Sequence, residues 1–332
     1  MQSGALSCPA QPRTVMGRTN MNEDSRVMVI LNSAAGTKKL AGGETIEARL
    51  AELFARGDVD AQIAVAGDGD ELAVLAERAV KEGYAVVVAG GGDGTVNLVA
   101  SKLVGSRTCL GVLPLGTLNH FAKDLYIPLD VESATQTIID GHTAQVDVGE
   151  VNGQIFINNS SIGLYPNIVR HRERQQERHG RGKWFALVRA AFRVLRRYPF
   201  LSVRLTADGR ELTRRTPLVF VGNNEYEMDS FQLGARSCLN KGQLSLYVAH
   251  HVSRARLLQL SLAALFGWSP GEAPDFDQLC VSELWIKTGR RRLLVATDGE
   301  VNVLPTPLHY RIRPGELRVL VPRGEDANKG ET

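Results

Sequence analysis

From residue 26 to about residue 140, two hydrophobic periods alternate along the chain. Short, mostly apolar runs at Arg26–Leu31, Ala61–Val65, Tyr84–Ala89 and Cys109–Leu113 are separated by stretches with helical spacing at about 44–55, 71–82 and 96–104. Strands apolar on both faces, alternating with helices, predict a parallel sheet covered by helices. Beyond Thr143 the pattern changes to short alternating runs, at Val146–Val151, Gln154–Asn158, Leu201–Thr206, Thr216–Val221, Gln243–Val248, Leu279–Lys287, Arg292–Ala296, Leu308–Arg313 and Leu317–Val321. Turn signals between such runs predict an antiparallel sandwich or barrel. Two longer helical stretches interrupt it, at about 181–197 and 253–266. The expected class is α/β, with a parallel-sheet domain over 25–142 and a mostly antiparallel β-sandwich domain with inserted helices over 143–322. Residues 1–24 read as a disordered leader and 323–332 as a flexible tail, with a cleft expected between the two domains.

Composition narrows the class. The 332 residues hold 43% hydrophobic and 23% charged side chains, with 39 basic against 36 acidic residues. That is globular composition, and a net charge of +3 is too small for a dedicated nucleic-acid binder, so no nucleic-acid partner is expected. The four cysteines (Cys8, Cys109, Cys238, Cys280) have no metal or disulfide spacing, which fits a reduced, cytoplasmic protein. No apolar run approaches the roughly 18 residues of a membrane span, and the leader lacks a secretory core. Any membrane contact is therefore expected to be peripheral. Ten Lys and Arg between 170 and 197 flank apolar Trp184, Val188, Ala191 and Leu195, a basic amphipathic pattern suited either to an anionic membrane surface or to a core-packed helix with a solvated face.

Three motifs carry candidate chemistry. Gly90-Gly91-Gly92-Asp93-Gly94-Thr95 follows a buried strand and opens a helix. Glycines let the backbone N–H groups approach an anion, and the helix start favours phosphate. A carboxylate in such a cradle repels phosphate unless a cation is present, so Asp93 points to a divalent metal as well as to a plain helix cap. Pro114-Leu115-Gly116-Thr117-Leu118-Asn119-His120-Phe121-Ala122 is a second strand-to-helix loop. In a parallel sheet both loops fall on the edge where ligands bind. Thr297-Asp298-Gly299-Glu300 lies between two apolar runs and reads first as a tight hairpin turn, whose tip can still present a carboxylate.

Together, GGGDGTVN at 90–97 and PLGTLNHFA at 114–122 resemble the diacylglycerol kinase catalytic-domain family, in particular its bacterial soluble lipid kinases, over about residues 25–322. The resemblance implies a nucleotide-binding α/β domain, a lipid-binding β-sandwich, ATP, Mg²⁺ and transfer of the γ-phosphate to a lipid hydroxyl. It implies nucleotide binding by Asn32, Gly36, Gly91, Gly92, Asp93, Gly94, Thr95, Asn97, Gly116, Thr117 and Asn119. It implies metal contacts at Asp93 and Asp147, and a proton acceptor at Glu300 with Asp298 as its close partner. A lipid substrate, transient contact with the anionic inner membrane face and an open question of homodimerisation complete the expectation.

Three positions depart from the family pattern. Leu98 stands where Glu is frequent, His120 where Asp is frequent, and Lys241-Gly242 where an Asp-Gly helps hold a structural Mg²⁺. Loss of that Asp argues against the structural metal, with the Lys241 ammonium as a substitute for its charge. Two alternatives follow: a nucleotide- or lipid-binding pseudokinase, motivated by these departures, and a NAD kinase, suggested by GGDGT and by Asn223-Asn224-Glu225.

Overall fold

The structure is a computed structural model that describes residues 17–18, 26–33, 43–163, 200–207, 209–225, 239–249 and 276–323. Gly36 and the helical stretches expected at 181–197 and 253–266 lie outside the described residues. The chain divides into two compact units. The first holds Met1–Val148, Ala235–Lys241 and Arg313–Thr332; the second holds Gly149–Gly234 and Gly242–Ile312.

The first unit is built on parallel strands β2 (Val27–Asn32), β3 (Ala61–Ala66), β4 (Val86–Gly91) and β5 (Cys109–Pro114), in the order β3-β2-β4-β5. Strands β4 and β5 are buried along their whole length, as their unbroken apolar runs require. The intervening helices start at side-chain caps, which sets their ends more finely than hydrophobic period does. Thr45 caps Ile46–Arg56, Asp68 caps Gly69–Lys81 and Asp130 caps Val131–Asp140, each side chain accepting an N–H three residues on. In the first of these, Ile46, Leu50 and Phe54 form the buried stripe at four-residue spacing. The sheet continues beyond β5 as a mixed sheet. The C-terminal part of β17 (Leu308–Leu320) runs parallel to β5, with Val319 opposite Leu110, and β6 (His142–Val151) lies beside β17. Two residues of the expected leader, Gly17 and Arg18 (β1), pair antiparallel with Thr143 and His142, giving the edge of β6 backbone partners.

The second unit is a two-sheet antiparallel sandwich. One sheet has the order β13-β12-β11-β8-β15-β16, from Phe276–Val281, Leu244–Ala249, Leu218–Asn223, Asn159–Gly163, Arg292–Thr297 and Glu300–Pro305. The other joins β10 (Arg210–Thr216), β9 (Leu201–Ala207), β14 (Glu283–Thr288) and the N-terminal part of β17, with β7 (Gln154–Phe156) pairing the end of β6. Side chains alternating inward from both sheets form one core, including Phe156, Ile162, Val203, Val221, Leu246, Ile286, Val295 and Tyr310.

Two run boundaries differ from the sequence pattern. The single run expected over Leu279–Lys287 is two strands, because the chain leaves one sheet at Ser282: β13 pairs with β12, and β14 pairs with β9. Conversely, Leu308–Arg313 and Leu317–Val321 are joined in one strand through Pro314-Gly315. There Gly315 takes φ +62° and donates its N–H to the buried Asp147 carboxylate at 2.8 Å. Three strands lie outside the alternating runs expected above. Strand β10 is a charged edge, β16 follows the Asp298-Gly299 turn, and the small polar β8 becomes central by pairing β11 and β15.

Within the sandwich core, the Tyr310 hydroxyl meets Ser160 Oγ at 3.1 Å, and its ring packs edge-on against Phe156. Burial drives the phenol pKa well above its ordinary value of 10.0, with the Ser160 hydrogen bond acting weakly the other way. A raised pKa keeps the folded state protonated where the unfolded chain ionises. Stability contributed by Tyr310 is therefore complete below about pH 10 and lost as pH rises further. Tyr310→Phe is expected to cost about 1 kcal/mol at neutral pH and to flatten the alkaline fall in stability, measured by urea denaturation between pH 7 and 11.

Candidate functional site

In the first unit, β2 is flanked by β3 on one side and β4 on the other, so the strand order reverses between β2 and β4. The C-terminal ends of strands at such a switch point are where open α/β sheets bind ligands. The ends in question are Asn32 on β2, Ala66 on β3, Gly91 on β4 and Pro114 on β5. Asn32, Gly91, Gly92, Asp93, Gly94, Thr95, Gly116, Thr117 and Asn119 are thus brought to one edge by the parallel register.

At Gly92 and Gly116 the two glycine loops touch backbone to backbone. A side chain placed on Gly116 would overlap Gly92 Cα and come within 3.2 Å of Gly92 N. Leu115 N–H donates to Gly91 C=O at 3.0 Å, tying the loop bases together. Asp93 Oδ1 accepts the Phe121 N–H at 3.2 Å, so the carboxylate of the first loop also fastens the second. Asn32 Nδ2 reaches Thr95 Oγ1 at 3.3 Å, bridging the switch point. The helix Asp93–Leu103 begins at Gly92 with no side-chain cap, which leaves its leading N–H groups for another acceptor.

Asn119 has a left-handed backbone, φ +51°, and closes its own loop. Its Oδ1 accepts from Gly116 N at 3.1 Å, and its Nδ2 donates to Pro114 O and Gly116 O, each at 3.1 Å. Asn97, only 8% exposed, sits one turn into the helix with its Oδ1 buried and without a hydrogen-bond partner. A buried orphan acceptor costs stability unless a ligand or water supplies a donor. Leu98 packs against the start of the helix Gly69–Lys81, close to Gly69, which gives the departure there an apolar packing role. His120 is exposed at the start of the helix His120–Asp124.

Asp147 is not brought to this edge. Its Gly315 partner precedes Val319, the residue opposite Leu110, so Asp147 lies towards the N-terminal end of β5, away from the glycine loops. Its N–H donates to Leu239 C=O at 2.8 Å, two residues before Lys241. Among the described residues, no group of three or more His, Cys, Asp or Glu side chains is arranged to hold a metal ion.

In the second unit, Asp298 and Gly299 form the two-residue turn of the β15–β16 hairpin, with φ +48° and +90° and Thr297 opposite Glu300. Positive φ at both positions is the turn type that Asp-Gly favours. The Asp298 carboxylate accepts three successive backbone N–H groups, from Ile157 at 2.7 Å, Asn158 at 2.9 Å and Asn159 at 2.8 Å. Its own N–H donates to Asn159 C=O at 2.9 Å. Glu300 is exposed, two residues on. The buried Asn223 secures the same segment, its Nδ2 donating to Ile157 O and its N–H to Asn158 O, both at 2.9 Å. Asn224 Nδ2 in turn donates to Asn223 Oδ1 at 3.3 Å. Sequence reasoning missed the 157–159 segment because its contribution is made by main-chain N–H groups, which no side-chain motif reports.

A glycine-lined edge at the switch point of an α/β unit and a carboxylate-bearing hairpin in a β-sandwich unit are features suited to phosphoryl transfer. Residues 26–151 match the diacylglycerol kinase catalytic domain, and residues 167–321 match the YegS C-terminal NAD kinase beta sandwich-like domain. A diacylglycerol kinase of Staphylococcus aureus is 31% identical over 234 residues, spanning 70% of this chain and 73% of that one. A diacylglycerol kinase crystal structure from Bacillus anthracis str. Sterne aligns over 90% of this chain and 97% of its own, with TM-score 0.63 and 21% identity. A second crystal structure from that organism gives 0.67 at 23% identity, covering 90% and 98%. The chain belongs to the diacylglycerol kinase catalytic-domain family, and it is a lipid kinase. Its likeness to NAD kinase is one of sandwich fold.

Asn119→Ala removes three hydrogen bonds and leaves an alanine in the left-handed region. It is expected to lower the unfolding free energy by about 2 kcal/mol, read by urea denaturation, and to speed amide exchange at Gly116.

Proposed function

We propose that the chain transfers the γ-phosphate of ATP to the hydroxyl of diacylglycerol or a closely similar lipid. The observation that supports this most is the backbone contact of Gly92 with Gly116 at the switch point, which brings the two glycine loops together at the strand ends. In this reading Gly91–Thr95, Gly116 and Thr117 hold the phosphates, Asn32 and Thr95 steady the loop, and the Asn97 carbonyl accepts a donor from the nucleotide. Mg²⁺ supplies charge neutralisation when it accompanies ATP. Mg²⁺ generally takes one or two carboxylates together with phosphate oxygens, and Asp93 is the carboxylate beside this cradle. Glu300 takes the proton of the lipid hydroxyl. The hydroxyl oxygen bonds to the γ-phosphorus as the bond to the β–γ bridging oxygen breaks, releasing ADP and a lipid phosphate.

No described helix is long and apolar enough to cross a membrane. A diacylglycerol substrate resides in the bilayer, so the proposal carries peripheral contact with an anionic membrane face, for which the basic stretch 170–197 is the sequence candidate. The alternative reading, a pseudokinase, is motivated by Leu98, His120 and Lys241, of which His120 is exposed at the loop where Asp is frequent in the family.

The test offers radiolabelled ATP and Mg²⁺ to diacylglycerol, an extracted lipid mixture and NAD. Label is expected on lipid, and Glu300→Gln is expected to lower turnover by about 10²–10⁴-fold, the usual contribution of a positioned general base. Label on NAD would overturn the lipid assignment, while nucleotide binding with no labelled product would favour the pseudokinase. Gly116→Ala, which forces the loops apart, is expected to weaken ATP binding by more than about tenfold in titration calorimetry.

A further inference from the structure

We propose that Asp298 is a positioning residue, acting on the reaction only through Glu300, so that the Asp-Gly-Glu turn holds one chemically active carboxylate and one anchor. The inference rests on the kinase reading above and assigns the division of labour within it. Three consecutive N–H groups converging on one point form an anion-binding concavity, the arrangement that elsewhere captures a phosphate or a bound ion. Here the protein's own Asp298 fills it, with both oxygens engaged at 2.7 to 2.9 Å. Charge-assisted bonds of this kind are short, directional and strong. A fourth bond, from Asp298 N–H to Asn159 C=O, fixes the backbone of the turn itself.

The consequence for Glu300 follows from chain geometry. Thr297 and Glu300 form the pair that closes a two-residue turn, so the direction of the Glu300 side chain is set by the two positive-φ residues between them. Asp298 ties that turn to the segment preceding β8, the strand beside β15. Asn223 holds the same segment from the other side through Ile157 O and Asn158 O. The exposed Glu300 is thereby held on a tip that would otherwise move with an edge hairpin. Misplacing a reacting group by an ångström costs about a hundredfold in rate, so an anchor here controls turnover without touching substrate.

The test is a double-mutant cycle on the full chain with diacylglycerol micelles, ATP and Mg²⁺. Asp298→Asn keeps the size of the side chain but turns an N–H donor towards the converging N–H groups. Alone it is expected to lower kcat by about ten- to a hundredfold, the range seen when a supporting partner is lost. Added to Glu300→Gln it is expected to cost less than about twofold more, because groups acting as a unit do not multiply. The Mg²⁺ concentration for half activity is expected to stay unchanged. Multiplicative losses in the double variant, or a several-fold rise in the Mg²⁺ requirement of Asp298→Asn, would overturn the proposal. Should Asp298→Asn fail to fold cooperatively, Asp298→Ser, which keeps one acceptor, is read by the same criteria.

Amide hydrogen exchange separates this proposal from the kinase reading. Asp298→Asn is expected to speed exchange at residues 157–159 and at Glu300, while Glu300→Gln leaves both protected. If the parent chain phosphorylates no lipid, the kinase reading fails while that pattern still upholds the anchor. Unchanged exchange in Asp298→Asn overturns the anchor whatever the activity.

Discussion

Everything that the first unit offers a ligand depends on two chain segments meeting with no side chain between them. Gly92 and Gly116 lie at the ends of adjacent parallel strands, and their backbones are in contact. Any Cβ at position 116 would collide with Gly92 and push the two loops apart. Around this contact the other bonds are arranged as braces. Asn119 closes the second loop on itself, Asp93 reaches across to Phe121, and Asn32 reaches across the switch point to Thr95. The polar side chains of the two motifs therefore act first on one another and hold the main chain in a shape that suits an anion.

The second unit repeats this logic with the charges reversed. There the main chain supplies three donors at 157–159, and the side chain of Asp298 supplies the anion that fills them. One unit presents a glycine-lined edge whose leading helix N–H groups have no side-chain cap; the other has a concavity already occupied by its own carboxylate. Motif residues of similar appearance thus differ in role because of what their neighbours' backbones require.

Much was legible along the chain, and for identifiable reasons. The unbroken apolar runs at 84–89 and 109–113 had to be strands buried on both faces, and β4 and β5 are. The Asp298-Gly299 pair between apolar runs had to be a tight turn, and both residues take positive φ. The limits are equally physical. Strand β8 is Asn-Ser-Ser-Ile-Gly, with no local preference for a sheet, and it is a strand because β11 and β15 lie on either side of it. The break at Ser282 and the continuity through Pro314-Gly315 reflect which sheet each segment joins.

By itself the sequence determined the two architectural regimes, the pair of phosphate-type loops and the family, since each is written in short-range periodicity or contiguous motifs. Only the tertiary structure decided which motif side chains are braces and which face outwards. It tied Asp147 to the Gly315 N–H, towards the N-terminal end of β5, left Asn97 Oδ1 buried without a partner, and gave Asp298 to the 157–159 amides. Those outcomes turn on hydrogen bonds between residues up to 168 positions apart, many of them to main-chain groups that are identical at every residue. A backbone N–H carries no sequence signature, so its partner is known only once the chain has folded.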